Sequence, residues 1–228
     1  MNTANNKKAY VFKMNLVPAN VLSFVILIIT YIIGCILMKD SLYGDYNTFF
    51  LIVLILAYFA LHEFLHGVGY YLGGCKLKNI QFGICLEKGI CYAMAYQEIT
   101  KKNILLSLQM PFVVIGVITF VISIIFHIPI LCLLSIVNFS GASMDLMMFF
   151  YLLGIKNVTY SESGKPDEFV LISDENLKNK KSIFFNIVDV RDYKKEDYEF
   201  NISKKIVISK LSYVVIGILL FIGIVSLF

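Results

Sequence analysis

The sequence predicts a mainly α-helical, polytopic membrane protein: about five transmembrane helices, an interfacial β-hairpin and a small cytosolic β-rich appendage. Three observations carry this. The 228 residues are 58% hydrophobic with a mean hydropathy of +0.77, above the roughly 45–50% apolar content of soluble domains. Five apolar runs each hold roughly 20 residues, enough to cross a hydrocarbon core of about 30 Å. Basic residues are sorted between alternate connections rather than spread evenly.

Residues 1–16 read as a polar cytosolic leader carrying Lys7, Lys8 and Lys13. The first span follows at 17–38 and the second at 48–72, with only Lys39 between them. The leader is too long, and the first apolar run too extended, for a cleaved signal peptide, whose apolar core is about 7–15 residues. Ile36, Leu37 and Met38 carry the span past Cys35, which argues against lipoprotein cleavage there.

Residues 76–100 contain two short strand-like runs around a turn at Glu87, Lys88 and Gly89, and read as a β-hairpin. Unpaired strand edges are untenable in lipid, so this hairpin must be interfacial or shielded by protein. The third span is expected at 104–126 and the fourth at 129–153, joined by a turn at His127 and Pro129 without basic residues. Residues 156–205 are polar and charged, and form the expected β-rich cytosolic segment leaning on the membrane part. Glu162, Asp167, Asp174 and Glu175 read as its solvated face. The fifth span is expected at 206–228.

All but Lys39 of the 20 Lys and Arg fall on one side if the N terminus is cytosolic. Positive residues favour the cytosolic side. The expectation is a multi-pass protein of a prokaryotic plasma membrane, N terminus inside and C terminus outside. The five cysteines form no C-x-x-C pair and read as small apolar residues kept reduced. No repeat, nucleotide-binding glycine loop or low-complexity tract is present. The expected partners are the lipid bilayer and a membrane protein or peptide substrate, with no nucleic acid.

The second span ends in His62-Glu63-Phe64-Leu65-His66, an H-E-x-x-H pattern. Residues four apart share a helix face, so both imidazoles can meet one Zn2+ with Glu63 beside them as general base. Ionisable groups at membrane depth are expensive and usually functional. A catalytic zinc has three protein ligands and a water. Asp145 is the one acidic residue in spans three to five. Spans two and four run the same way, and both His66 and Asp145 lie roughly 10 Å from the cytosolic end at 1.5 Å per residue. Asp145 is therefore the candidate third ligand, against a helix-pairing carboxylate as the alternative. Asn138, two turns earlier on the same face, reads either as a substrate or oxyanion contact or as an interhelical hydrogen bond. Pro111 lies at comparable depth and would free backbone groups near the site. Gly67 and Gly69, with the small residues 140–143, would let spans two and four approach closely.

His62-Glu63-Phe64-Leu65-His66, Gly73-Gly74, the hairpin, Leu108-Gln109-Met110-Pro111 and Ser140-Gly141-Ala142-Ser143-Met144-Asp145 together resemble the membrane zincin peptidases. These are small relatives of the site-2 protease type of intramembrane metalloprotease. The resemblance covers about 25–155 and implies zinc on His62, His66 and Asp145, with Glu63 activating water. The chain departs from the site-2 pattern: Asn138 lacks the proline of N-x-x-P, and Leu146 follows Asp145 where that family has glycine. A non-proteolytic zinc-binding scaffold, immunity or sensor protein is the alternative, with a transporter a weaker third reading.

Overall fold

A computed structural model describes residues 7–39, 42, 46–87, 90–180, 182–198, 206–209 and 212. Three helical stretches are long and apolar enough to cross a membrane: Leu16–Met38 (α1), Thr48–Leu72 (α2) and Lys101–Phe126. Large apolar side chains on α1, such as Val17, Phe24 and Ile36, face outward. Such surface is stable only against lipid or a partner. Helices also satisfy every backbone donor within the segment, as a lipid environment demands. Asn47 starts α2, its Oδ1 accepting from the amides of Phe49 and Phe50.

The third stretch is not uniform. It runs as α3 (Lys101–Pro111), a π-helical segment (Phe112–Ile118) and α4 (Thr119–Phe126). Pro111 sits inside the rod and has no N–H to give the carbonyl four residues earlier, that of Ser107. The wider π turn follows directly; such turns interrupt helices frequently at functional sites.

The expected fourth span is two helices, α5 (Pro129–Gly141) and α6 (Ser143–Leu153), bent by 47° at the break. The bend lies in the small-residue stretch. It places Asp145 in the first turn of α6, where the helix N-terminus favours negative charge.

The strands form two sheets. In the larger, β4 (Ile99–Thr100), β5 (Val158–Glu162), β6 (Glu168–Ser173), β1 (Lys8–Met14) and β7 (Phe185–Asp192) lie in that order, all antiparallel. The β-rich character of 156–205 is as expected. The sheet is not confined to that segment, however, because the leader supplies β1 and the connection before α3 supplies β4. In the smaller sheet, β2 (Ile80–Cys85) and β3 (Ile90–Ala95) form the expected hairpin. β8 (Ile206–Ile208) adds in parallel to β2.

Five spans are therefore not reached among the described residues. The fifth was expected to begin at Ile206, but Ile206–Ile208 is a strand, and Ser209 continues it by donating its amide to the Ile84 carbonyl. A β-branched run beside an available sheet edge pairs rather than winding into a helix. Apart from Ser209 and Ser212, the remainder of 206–228 lies outside the described residues, as do the first six residues of the leader.

One hydrophobic core joins the large sheet to the helix ends. Tyr10 and Phe12 of β1, Tyr160 of β5, Tyr70 of α2, Leu108 of α3 and Leu152 of α6 belong to it. The sheet is thus packed onto α2, which carries the H-E-x-x-H pattern, and onto α3 and α6 beside it.

The solvated face expected of Glu162 and Asp167 does not form. They are only 3% and 4% exposed. β5 turns Glu162 inward toward the hairpin, and Asp167 lies beneath Lys13, with 3.8 Å between charged atoms.

Candidate metal centre

His62 and His66 project from one face of α2, and α6 brings Asp145 to meet them. Asp145 Oδ2 lies 3.1 Å from His62 Nε2 and 3.3 Å from His66 Nε2, and the two Nε2 atoms are 3.1 Å apart. Among the described residues these three form a group able to hold a metal ion. Donors around a tetrahedral zinc, at about 2.0–2.1 Å from the ion, stand about 3.3 Å from one another. Two imidazole nitrogens and a carboxylate oxygen at this spacing fit one face of such a tetrahedron.

The outer nitrogens explain why the inner ones face each other. His62 Nδ1 lies 2.8 Å from Asn138 Oδ1, and the Asn138 amide donates to the Pro111 carbonyl at 3.1 Å. That second bond fixes which end of the amide is oxygen. His66 Nδ1 lies 3.0 Å from the Ser107 carbonyl. Both Nδ1 atoms meet acceptors and so carry the proton in the neutral ring, which turns both Nε2 lone pairs inward. Two lone pairs and a carboxylate converging in a buried space repel one another unless a cation sits among them.

Pro111 supports both locks. Lacking an N–H, it leaves the Ser107 carbonyl for His66, and its own carbonyl receives Asn138. The freed backbone expected from Pro111 is therefore present. Ser107 also donates its hydroxyl to the His66 carbonyl at 2.9 Å, so residues 66 and 107 are joined twice.

The glycines allow these approaches. A Cβ at Gly69 would stand 2.5 Å from Ser107 Cα, and one at Gly67 would stand 2.5 Å from the Phe82 ring. Both therefore admit α3 and β2 rather than the fourth span. Of the small residues in 140–143, Ser140 and Ser143 bond to Ser23 of α1, while Gly141 faces Phe59 of α2.

Glu63 is half-buried beside the three donors, close enough to interact electrostatically with each, and its carboxylate faces the Ala93 amide of β3. Asn138 is 2% exposed and both ends of its amide are engaged. The interhelical hydrogen bond, the alternative reading of Asn138, is thus present on both sides of its amide. His127 caps α4 at a φ of 53° and takes no part in the cluster. The cysteines are free thiols, and none joins the cluster.

Sequence reasoning did not single out Ser107 or Tyr70. Ser107 is a small polar residue in a largely apolar stretch, four residues before a proline, a signal legible in the sequence.

Residues 54–160 match the family model described as "Putative zincin peptidase", a stretch running from within α2 into β5 that holds all three donors and Glu63. No curated protein matches the chain, and no solved structure matches it.

Proposed function

With a zincin-peptidase segment as its premise, we propose that the chain is a zinc-dependent endopeptidase that cuts a protein or peptide within or beside a membrane. The observation that carries this reading is the convergence of His62 Nε2, His66 Nε2 and Asp145 Oδ2, with both imidazoles fixed by acceptors behind them.

His62, His66 and Asp145 would hold the ion and leave a position for water. When bound, zinc supplies Lewis-acid polarisation of a carbonyl and a water of lowered pKa. Glu63 then takes the proton of the attacking water and delivers it to the leaving amine nitrogen. His62, His66 and Asn138 are buried, whereas Glu63 and Asp145 are partly exposed, which leaves the water position an approach on their side.

A helical substrate hides its peptide bonds and has to be extended before it is cut. β3 lies at the edge of its sheet. The amides of Ala93 and Ala95 point away from β2, the first toward Glu63. A substrate strand adding to this edge would replace Glu63 at the Ala93 amide and so pass the general base. Resemblance to the site-2 type supports cleavage at membrane depth. The helices α1, α2 and the Lys101–Phe126 rod support membrane insertion, with the sheets on the cytosolic side by the charge rule.

A structural zinc site in a scaffold would be closed by four protein ligands. The three donors found together among the described residues, with a carboxylate alongside, favour catalysis. Glu63→Gln tests the reading: zinc content is expected to stay near that of the unmodified chain while cleavage of a co-expressed membrane substrate is abolished. Retained cleavage would refute the role of Glu63.

A further inference from the structure

Glu162 is buried at the end of β5, and among the described residues no basic side chain forms an ion pair with it. Burial pushes its carboxyl up to about 8, so it is largely neutral near pH 7. A buried acid without a cation is costly unless its bonds are used.

Its bonds lead along two arms to the metal centre. Along the first, Ala95 of β3 donates its amide to Glu162 Oε1 at 3.4 Å. The next outward amide on the same strand edge, that of Ala93, faces Glu63. One strand edge is thus held between Glu162 and the proposed general base. Along the second, the Tyr160 hydroxyl donates to Glu162 Oε1 at 2.9 Å. The buried Tyr70 side chain lies close enough to those of Tyr160 and Ser107 to interact with each. Ser107 in turn grips His66 through its hydroxyl and its carbonyl.

We propose that Glu162 is a positioning residue for the metal centre, holding His66 and Glu63 in place from the five-stranded sheet through these two arms. The inference rests on the reading of His62, His66 and Asp145 as metal ligands. Groups that orient metal-bound histidines typically change metal affinity by about 10–100-fold when removed. The sheet is thereby more than a lid on the helix ends, because its register sets how firmly a ligand and the base are held.

The test uses the full chain in detergent, stripped of metal and titrated with Co2+, reading affinity and the visible spectrum. Glu162→Ala and Tyr160→Phe are expected to weaken Co2+ binding by a few-fold, less than the roughly 10–100-fold of groups bonded directly to a ligand, and to alter the spectrum. Glu162→Gln is expected to behave like the unmodified chain, since its amide oxygen accepts both bonds. Tyr160→Phe keeps the packed ring, so it carries the test if Glu162→Ala fails to fold. A merely structural role would lower melting temperature while leaving the Co2+ affinity and spectrum of the folded protein unchanged. That result in Tyr160→Phe, or in both variants, would overturn the proposal. If the unmodified chain shows no His62-dependent Co2+ binding, the metal-centre reading falls and takes the inference with it.

Discussion

The Ser107 carbonyl, left without a helical donor by Pro111, accepts the Nδ1 proton of His66 at 3.0 Å. A break in one helix has become the support for a proposed metal ligand on another. The same proline offers its own carbonyl to Asn138, which orients His62.

Pro111→Ala would return an N–H to the Ser107 carbonyl and set it in competition with His66. Helix propensity improves, by up to about 3 kcal/mol in an exposed helix interior. Metal affinity is nevertheless expected to fall within the roughly 10–100-fold range of orienting groups. Competition with a zinc indicator, alongside thermal unfolding, measures the two effects separately. Unchanged affinity would show that His66 needs no such support.

Asn138→Ala removes the acceptor behind His62 and leaves the Pro111 carbonyl without its side-chain donor. Zinc affinity is expected to drop about 10–100-fold. Asn138→Asp keeps an acceptor for His62 and should fall between the alanine variant and the unmodified chain. Asp145→Ala removes a ligand itself and should exceed both, as read by metal content after dialysis.

Gly69→Ala places a methyl 2.5 Å from the Ser107 backbone. The α2–α3 contact has to open, at a cost of about 1–3 kcal/mol. The doubly bonded pair His66–Ser107 sits at that contact. Lower melting temperature and weaker metal binding are therefore expected together, whereas Gly141→Ala, with its nearest neighbour at 3.5 Å, should change neither appreciably.

Glu162 gives the stability of the protein a pH dependence. Its carboxyl titrates near 4.5 when free and at about 8 when folded, raised first by burial. Between those values the folded state binds the extra proton, so stability falls as pH rises. The contribution is fully present below about 4.5 and lost by about 8. Tyr160, Tyr96 and Tyr70 interact with the same carboxyl. Tyr96 is raised to about 12 and Tyr160 well above its ordinary value, so both titrate above this window. Thermal unfolding across that range should show a decline that Glu162→Gln flattens; parallel profiles would exclude Glu162 as its source.

The sequence by itself determined the H-E-x-x-H helix, the apolar stretches, the hairpin and Asp145 as candidate ligand. These follow from local periodicity, hydropathy and a rise per residue common to all helices. It also pointed to Pro111 as a source of free backbone. Only the tertiary structure decided what receives those free groups. The acceptors behind the two histidines lie 76 and 41 residues away in sequence, and no local pattern specifies such pairs. Partner choice likewise decided that the leader supplies β1 and that Ile206–Ile208 joins a sheet. Glu162 is the clearest case. A carboxylate in a charged segment reads as solvated, because charge favours water in the absence of other information. Its inward position depends on β5 pairing with β6 and facing β3, and on Tyr160 and Ala95 supplying the hydrogen bonds that make its burial tolerable.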